Sequence, residues 1–114
     1  GGVFATADRT KPIVSPEARI EDGATLVGPC FIDAGAHVKS GARIGPYSVL
    51  GRSVLIEESA DVENAILWPN TRIGQGAIVH GPIIGRNCHI GRNAVMKSPS
   101  VIGDKTQLTD YTTL

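Results

Sequence analysis

The side chains best suited to chemistry in this sequence are three histidines, two cysteines and a few arginines. An imidazole can move a proton near neutral pH or ligate a metal, but a metal site needs several ligands converging on one point. His37, His80 and His89 are the candidates for either task. Cys30 and Cys88 offer thiolates, yet two cysteines are too few to staple a secreted fold, so a reducing, cytoplasmic setting is expected. Gly74-Gln75-Gly76 invites a reading as a phosphate loop. It is neither GxGxxG nor a Walker motif, and no helical pattern follows to supply a positive N-terminus, so it reads as a chain corner. Arg52, Arg86 and Arg92 could meet an anionic ligand, although solubilising charge is the plainer role.

What positions these residues is set by the rest of the chain. At 114 residues it holds one domain, with residues 1–12 as a linker or added tail and residues 13–114 as the folded unit. Lys plus Arg and Asp plus Glu balance at 11 each, so there is no field to attract nucleic acid or an anionic membrane. No apolar run is long enough for a membrane helix, and Gly1–Pro12 has no signal-peptide core. Aromatic residues are only 4%, which leaves a core of aliphatic side chains.

Those aliphatics recur with a period of six. Val14, Ile20, Leu26, Ile32, Val38, Ile44, Leu50, Ile56 and Val62 are evenly spaced. After a step of five come Leu67, Ile73 and Val79; after a second come Ile84, Ile90, Met96, Ile102, Leu108 and Leu114. Four residues beyond them lies a small or β-branched column, such as Ala36, Ala42, Ser48, Val54 or Thr71, with Cys30 and Cys88 in it; the only departures, Ile66 and Ile83, fall in the five-residue steps, where the slip leaves the assignment open. The cysteines are therefore expected to pack inward rather than react. Gly or Asn, which tolerate positive φ, stand between the columns at Gly23, Gly35, Gly41, Asn70, Gly76, Asn87 and Asn93. Neither a helical period nor plain alternation fits. One large and one small inward residue every six suits short strands joined by tight corners, three rungs to a coil, with coils about 4.8 Å apart. The predicted fold is all-β: a single-stranded parallel β-helix of about five to six coils. The two five-residue steps are 17 residues apart, so they shorten the same corner in successive coils.

The Ile-Gly units at 73–74, 84–85, 90–91 and 102–103, with Ala, Cys or Thr four residues on, resemble the hexapeptide-repeat superfamily, which implies left-handed coiling. A narrower resemblance runs through Glu63-Asn64-Ala65-Ile66-Leu67-Trp68-Pro69-Asn70-Thr71-Arg72-Ile73-Gly74 and Ile83-Ile84-Gly85-Arg86-Asn87-Cys88, with an entry of Pro12-Ile13-Val14-Ser15-Pro16-Glu17-Ala18. This is similar to the C-terminal β-helix of sugar-phosphate nucleotidyltransferases, the mannose-1-phosphate guanylyltransferase type above all. The resemblance implies a non-catalytic assembly or regulatory domain and a homo-oligomer. It also implies that an N-terminal catalytic domain, absent from this chain, makes the nucleotide-sugar with Mg²⁺. That domain's Gly-rich nucleotide loop and metal-binding aspartates have no counterpart here.

The fold also hosts other chemistry. A carbonic anhydrase class binds zinc through histidines of neighbouring subunits, two of them five residues apart; His80 matches the second, but Gln75 stands where the first belongs, so no metal is expected. His37 and His89 occupy equivalent positions three coils apart, roughly 14 Å, too far to share an ion. Acyltransferases of this fold use a histidine base in an intersubunit cleft, usually beside an extruded loop. His80 is the candidate base for an acyl-thioester-dependent transfer. No rung is long enough to extrude a loop, and the register offers His80 no evident carboxylate.

One column points to assembly instead. The residues just before the first-face aliphatics are Ile13, Phe31, Val49, Ile66, Ile83 and Val101. All should face outward, with Trp68 beside them between Gly51 and Gly85 of the adjacent coils. The matching second-face column, Arg19, His37, Leu55, Arg72, His89 and Gln107, is nearly all polar. A continuous outward apolar stripe is expected to be a contact surface.

Overall fold

A computed structural model describes residues 9–114, and every element in it is a strand of two or three residues. Seventeen strands form three parallel sheets of six, six and five. The first sheet stacks Ile13–Val14, Cys30–Ile32, Ser48–Leu50, Ile66–Leu67, Ile83–Ile84 and Val101–Ile102. The second starts at Arg19–Ile20 and ends at Gln107–Leu108; the third runs from Thr25–Leu26 to Val95–Met96. A lone bridge from Val95 to Thr113 begins the third sheet's sixth rung, so the described residues make five complete turns and most of a sixth. Each strand pairs only with those one coil away, giving a parallel β-solenoid.

The six-residue period dictates this arrangement because both inward columns must be filled in every coil. Ile32, Val38, Ile44, Leu50, Ile56, Ile73, Val79, Ile84 and Ile90 have no exposed surface, and neither do Ala36, Ala42, Ala77 and Ala94 of the small column. The small column also takes polar residues that settle their own hydrogen bonds. Fully buried Thr71 donates from Oγ1 to the Gly85 carbonyl at 2.6 Å and accepts from the Cys88 N–H at 3.1 Å. Cys88 is buried and donates its Sγ–H to the Gly103 carbonyl at 3.1 Å. Both cysteines are free and packed inward, as their column requires.

The two short steps resolve cleanly. Ala65 and Pro82 take the small inward positions, which leaves Ile66 and Ile83 facing out. Both steps lie at the corner between the third and first sheets, where Asn64 and Gly81 adopt positive φ of 48° and 104°. The corner at Gly74-Gln75-Gly76 turns on Gly76, at φ 70°.

Candidate functional site

The apolar column of the first sheet is assembled by strand register alone. Ile13 pairs with Phe31, Phe31 with Val49, Val49 with Ile66, Ile66 with Ile83, and Ile83 with Val101. The ridge crosses all six strands and stays in water, from 37% exposed at Val49 to 77% at Val101. Trp68 stands at its edge, 44% exposed, and donates its backbone N–H to the Ile84 carbonyl at 2.9 Å. A side chain at Gly51 would strike the Leu67 carbonyl and Pro69 within 3.1 Å, so the coil above Trp68 carries none. The guanidinium of Arg86 lies 5.1 Å from the indole centroid, a cation–π contact that fixes the ring. Arg86 is thus part of the ridge rather than a free solubilising charge.

Two shallow grooves flank this ridge. One, of about 370 Å³, lies at its N-terminal end between Ile13, Phe31, Tyr47, Val49 and Ile66, with Arg9 and Lys11 on its rim. The other, of about 480 Å³, lies between Trp68, Arg86, Ile83, Val101 and Asp104. Tyr47 is the residue that sequence reasoning missed. It is 70% exposed at φ 62°, a conformation bulky side chains rarely adopt. The register does place it at a corner, three residues after Ile44 as Gly23 stands three after Ile20, but only the Gly and Asn occupants of that slot signal a corner by residue type.

The other two faces carry ion pairs. His37 Nε2 lies 2.6 Å from Glu21, and Lys39 lies 3.1 Å from Glu57 and 3.6 Å from Glu58. Arg43 places one Nη on Asp61 and the other on Glu63, each at 2.9 Å. The second-face column is as expected, with Leu55 and Arg72 in register between His37 and His89, so those histidines sit three coils apart.

His80 departs from expectation. Its Nε2 is 3.1 Å from Asp61 Oδ2, so it does have a carboxylate neighbour, supplied by the coil before. The contact is not aligned as a hydrogen bond, and Asp61 is already held by Arg43. The register pairs His80 with Glu63, so Asp61 becomes its neighbour only through side-chain direction, which sequence spacing does not carry. Among the described residues no group of three or more His, Cys, Asp or Glu side chains is placed to hold a metal.

These pairs set an acid limit. The hydrogen bond from His37 holds the Glu21 carboxyl below its ordinary 4.5. Burial alone would raise Glu57, but Lys39, with Glu58 and Arg72, outweighs it and holds that carboxyl low as well. A carboxyl depressed by folding adds stability above its unfolded value, and loses that contribution as pH falls through the folded one. Thermal melts from about pH 7 to about pH 3 should therefore show the midpoint level at first, then falling below about pH 4.5. A midpoint that rises on acidification would show these pairs to be unimportant.

Comparison with known proteins adds four findings. The sequence pattern of the family described as "GMPPB C-terminal domain" matches residues 26–114. A Schizosaccharomyces pombe protein provisionally described as a mannose-1-phosphate guanyltransferase is 37% identical over 55 residues, which is 48% of this chain and 13% of that protein. Among solved structures, the acetyltransferase domain of PglB from Neisseria gonorrhoeae FA1090 is similar at a TM-score of 0.54 and 20% identity, over 92% of this chain and 50% of that one. A Bacillus cereus protein provisionally described as an acetyltransferase is similar at 0.51 and 16%, over 91% and 72%. At such identities the likeness is one of fold.

Proposed function

Because the chain belongs to the GMPPB C-terminal domain family, we propose that it is the β-helical assembly domain of a sugar-phosphate nucleotidyltransferase and does no chemistry itself. The longer enzyme transfers a nucleotidyl group from a nucleoside triphosphate to a sugar 1-phosphate, in a preceding catalytic domain that holds Mg²⁺. This domain joins subunits into a homo-oligomer or seats the catalytic domain. A cytoplasmic location accords with two free, buried cysteines. Among the described residues no helix is long and apolar enough to cross a membrane.

The observation that carries the assembly role is the exposed ridge from Ile13 to Val101, backed by coils whose own core is already complete. Fold requires none of its side chains to be apolar: the second sheet stacks equally well with Arg19, His37, Arg72, His89 and Gln107 in the matching column.

The alternative, a small acyltransferase with His80 as base, draws some support from the Asp61 carboxylate. Against it, Arg43 already neutralises Asp61, and the corner after His80 is shortened rather than extruded. The chain should neither form a nucleotide-sugar nor transfer an acetyl group from a thioester. Coupled assays of both reactions on wild type and His80→Ala decide this: thioester turnover that vanishes in the variant would promote the acyltransferase.

A further inference from the structure

The second sheet carries a feature that neither assembly nor packing uses. The residue following its inward aliphatic is Glu21, Lys39, Glu57, Gly74, Gly91 and Thr109 in successive coils, and the first five pass their N–H to the coil below. At Gly74 and Gly91 the column loses its side chains. Backbone packing requires this, since a Cβ on Gly74 would come within 2.7 Å of the Arg92 nitrogen and one on Gly91 would strike Thr109. The consequence is a bare step below three charged residues. Its Gly74 part is the floor of a polar depression of about 300 Å³, walled by Arg72, His89, Gln75 and Arg92, with Glu57 above and Asp110 below. A second depression of about 420 Å³ shares His89 and Asp110 and continues over Gly91, Gln107 and Thr109.

The two arginines here differ from Arg43. Arg43 commits both terminal nitrogens to carboxylates at 2.9 Å. Arg72 approaches Glu57 only through Nε at 3.3 Å, and the Arg92 guanidinium comes no nearer to Asp110 than 3.8 Å, although the Arg92 backbone N–H donates to Asp110 Oδ1 at 2.8 Å. Among the described residues neither guanidinium makes a hydrogen bond, so both forks remain open over the glycine floor. Two open guanidinium forks beside an imidazole match the oxygens of a phosphate group. Asp110, which only accepts, suits hydroxyl donors.

We propose that this notch binds a small phosphate monoester, with the phosphate between Arg72 and Arg92 beside His89 and the hydroxyl-bearing body running over Asp110 and Thr109. The site lies on the second face, away from the apolar ridge, and does not depend on what that ridge contacts. The test is a titration of the full chain with glycerol 3-phosphate, followed by backbone amide NMR shifts. Saturable shifts confined to residues 72–76, 89–92 and 107–110 are expected. Affinity should fall about tenfold or more in Arg92→Gln and in Arg72→Gln, and stay within about twofold in Arg52→Gln, a cation at another corner. Inorganic phosphate should reach the same residues several-fold more weakly. Shifts that never saturate, an equal loss in Arg52→Gln, or equal affinity for inorganic phosphate would each overturn the proposal.

Discussion

Val49→Lys should dissolve whatever contact the first sheet makes while leaving the coil folded. Val49 sits at the centre of the ridge, between Phe31 and Ile66. Covering such a strip removes several hundred Å² of apolar surface, roughly 5–15 kcal/mol before association costs, at about 25 cal/mol per Å². A lysine there must lose its hydration on docking, and no carboxylate of the ridge itself could pair with it, so a penalty of several kcal/mol is expected, about a hundredfold or more in affinity. In the free chain the same lysine reaches water, since the position is 37% exposed. Trp68→Glu should act in the same direction and also strand Arg86 without its ring. Leu55→Lys is the control: it lies between His37 and Arg72 on the ion-paired face and should change little. Molar mass by light scattering over a concentration series separates these outcomes. A wild-type chain that stays monomeric at every concentration would remove self-association and leave docking to the catalytic domain. A Val49→Lys chain that melts like a core variant would sink the reading altogether.

The second large effect is expected inside the coil. Ala42 has no exposed surface, and its column leaves room for a methyl group because the opposing large column fills the rest of the cross-section. Ala42→Leu adds three carbons to a closed layer whose backbone is tied to the coils on both sides, for example by the Arg43 N–H to the Ala60 carbonyl at 2.8 Å. Overpacking of this kind costs about 1–3 kcal/mol. For a domain of this size that is roughly 5–20 °C in melting midpoint. Cys88→Ser should cost less, because a hydroxyl can take over the donation to the Gly103 carbonyl and Ser48 is already buried in the same column. Thermal melts that rank the two in the opposite order would mean the inward columns have been misassigned.

Much of this molecule is written in its period. A coil can close only if every sixth residue is large and inward and the fourth after it small, so Ile44 and Ala42 were identifiable as core without any three-dimensional information. The same constraint fixes what lies above what. Coils advance by 18 residues, or 17 where a corner is shortened, so Phe31, Val49, Ile66 and Ile83 had to align, and their outward direction follows from the buried residue after each. Ion pairing and binding surface obey no such rule. Residues sharing a column are about 4.8 Å apart at the backbone, while a long side chain reaches further than that and can turn to either corner. Asp61 therefore met His80 as well as Arg43. Arg86 folded back over Trp68. Arg72 and Arg92, around the step at Gly74, kept their terminal nitrogens out of close ion pairs. The sequence by itself determined the backbone and the identity of the core, because closure of each coil admits one register. Which charged groups meet, and which are left free, was decided only when the coils stacked and each side chain took one rotamer among several of similar energy.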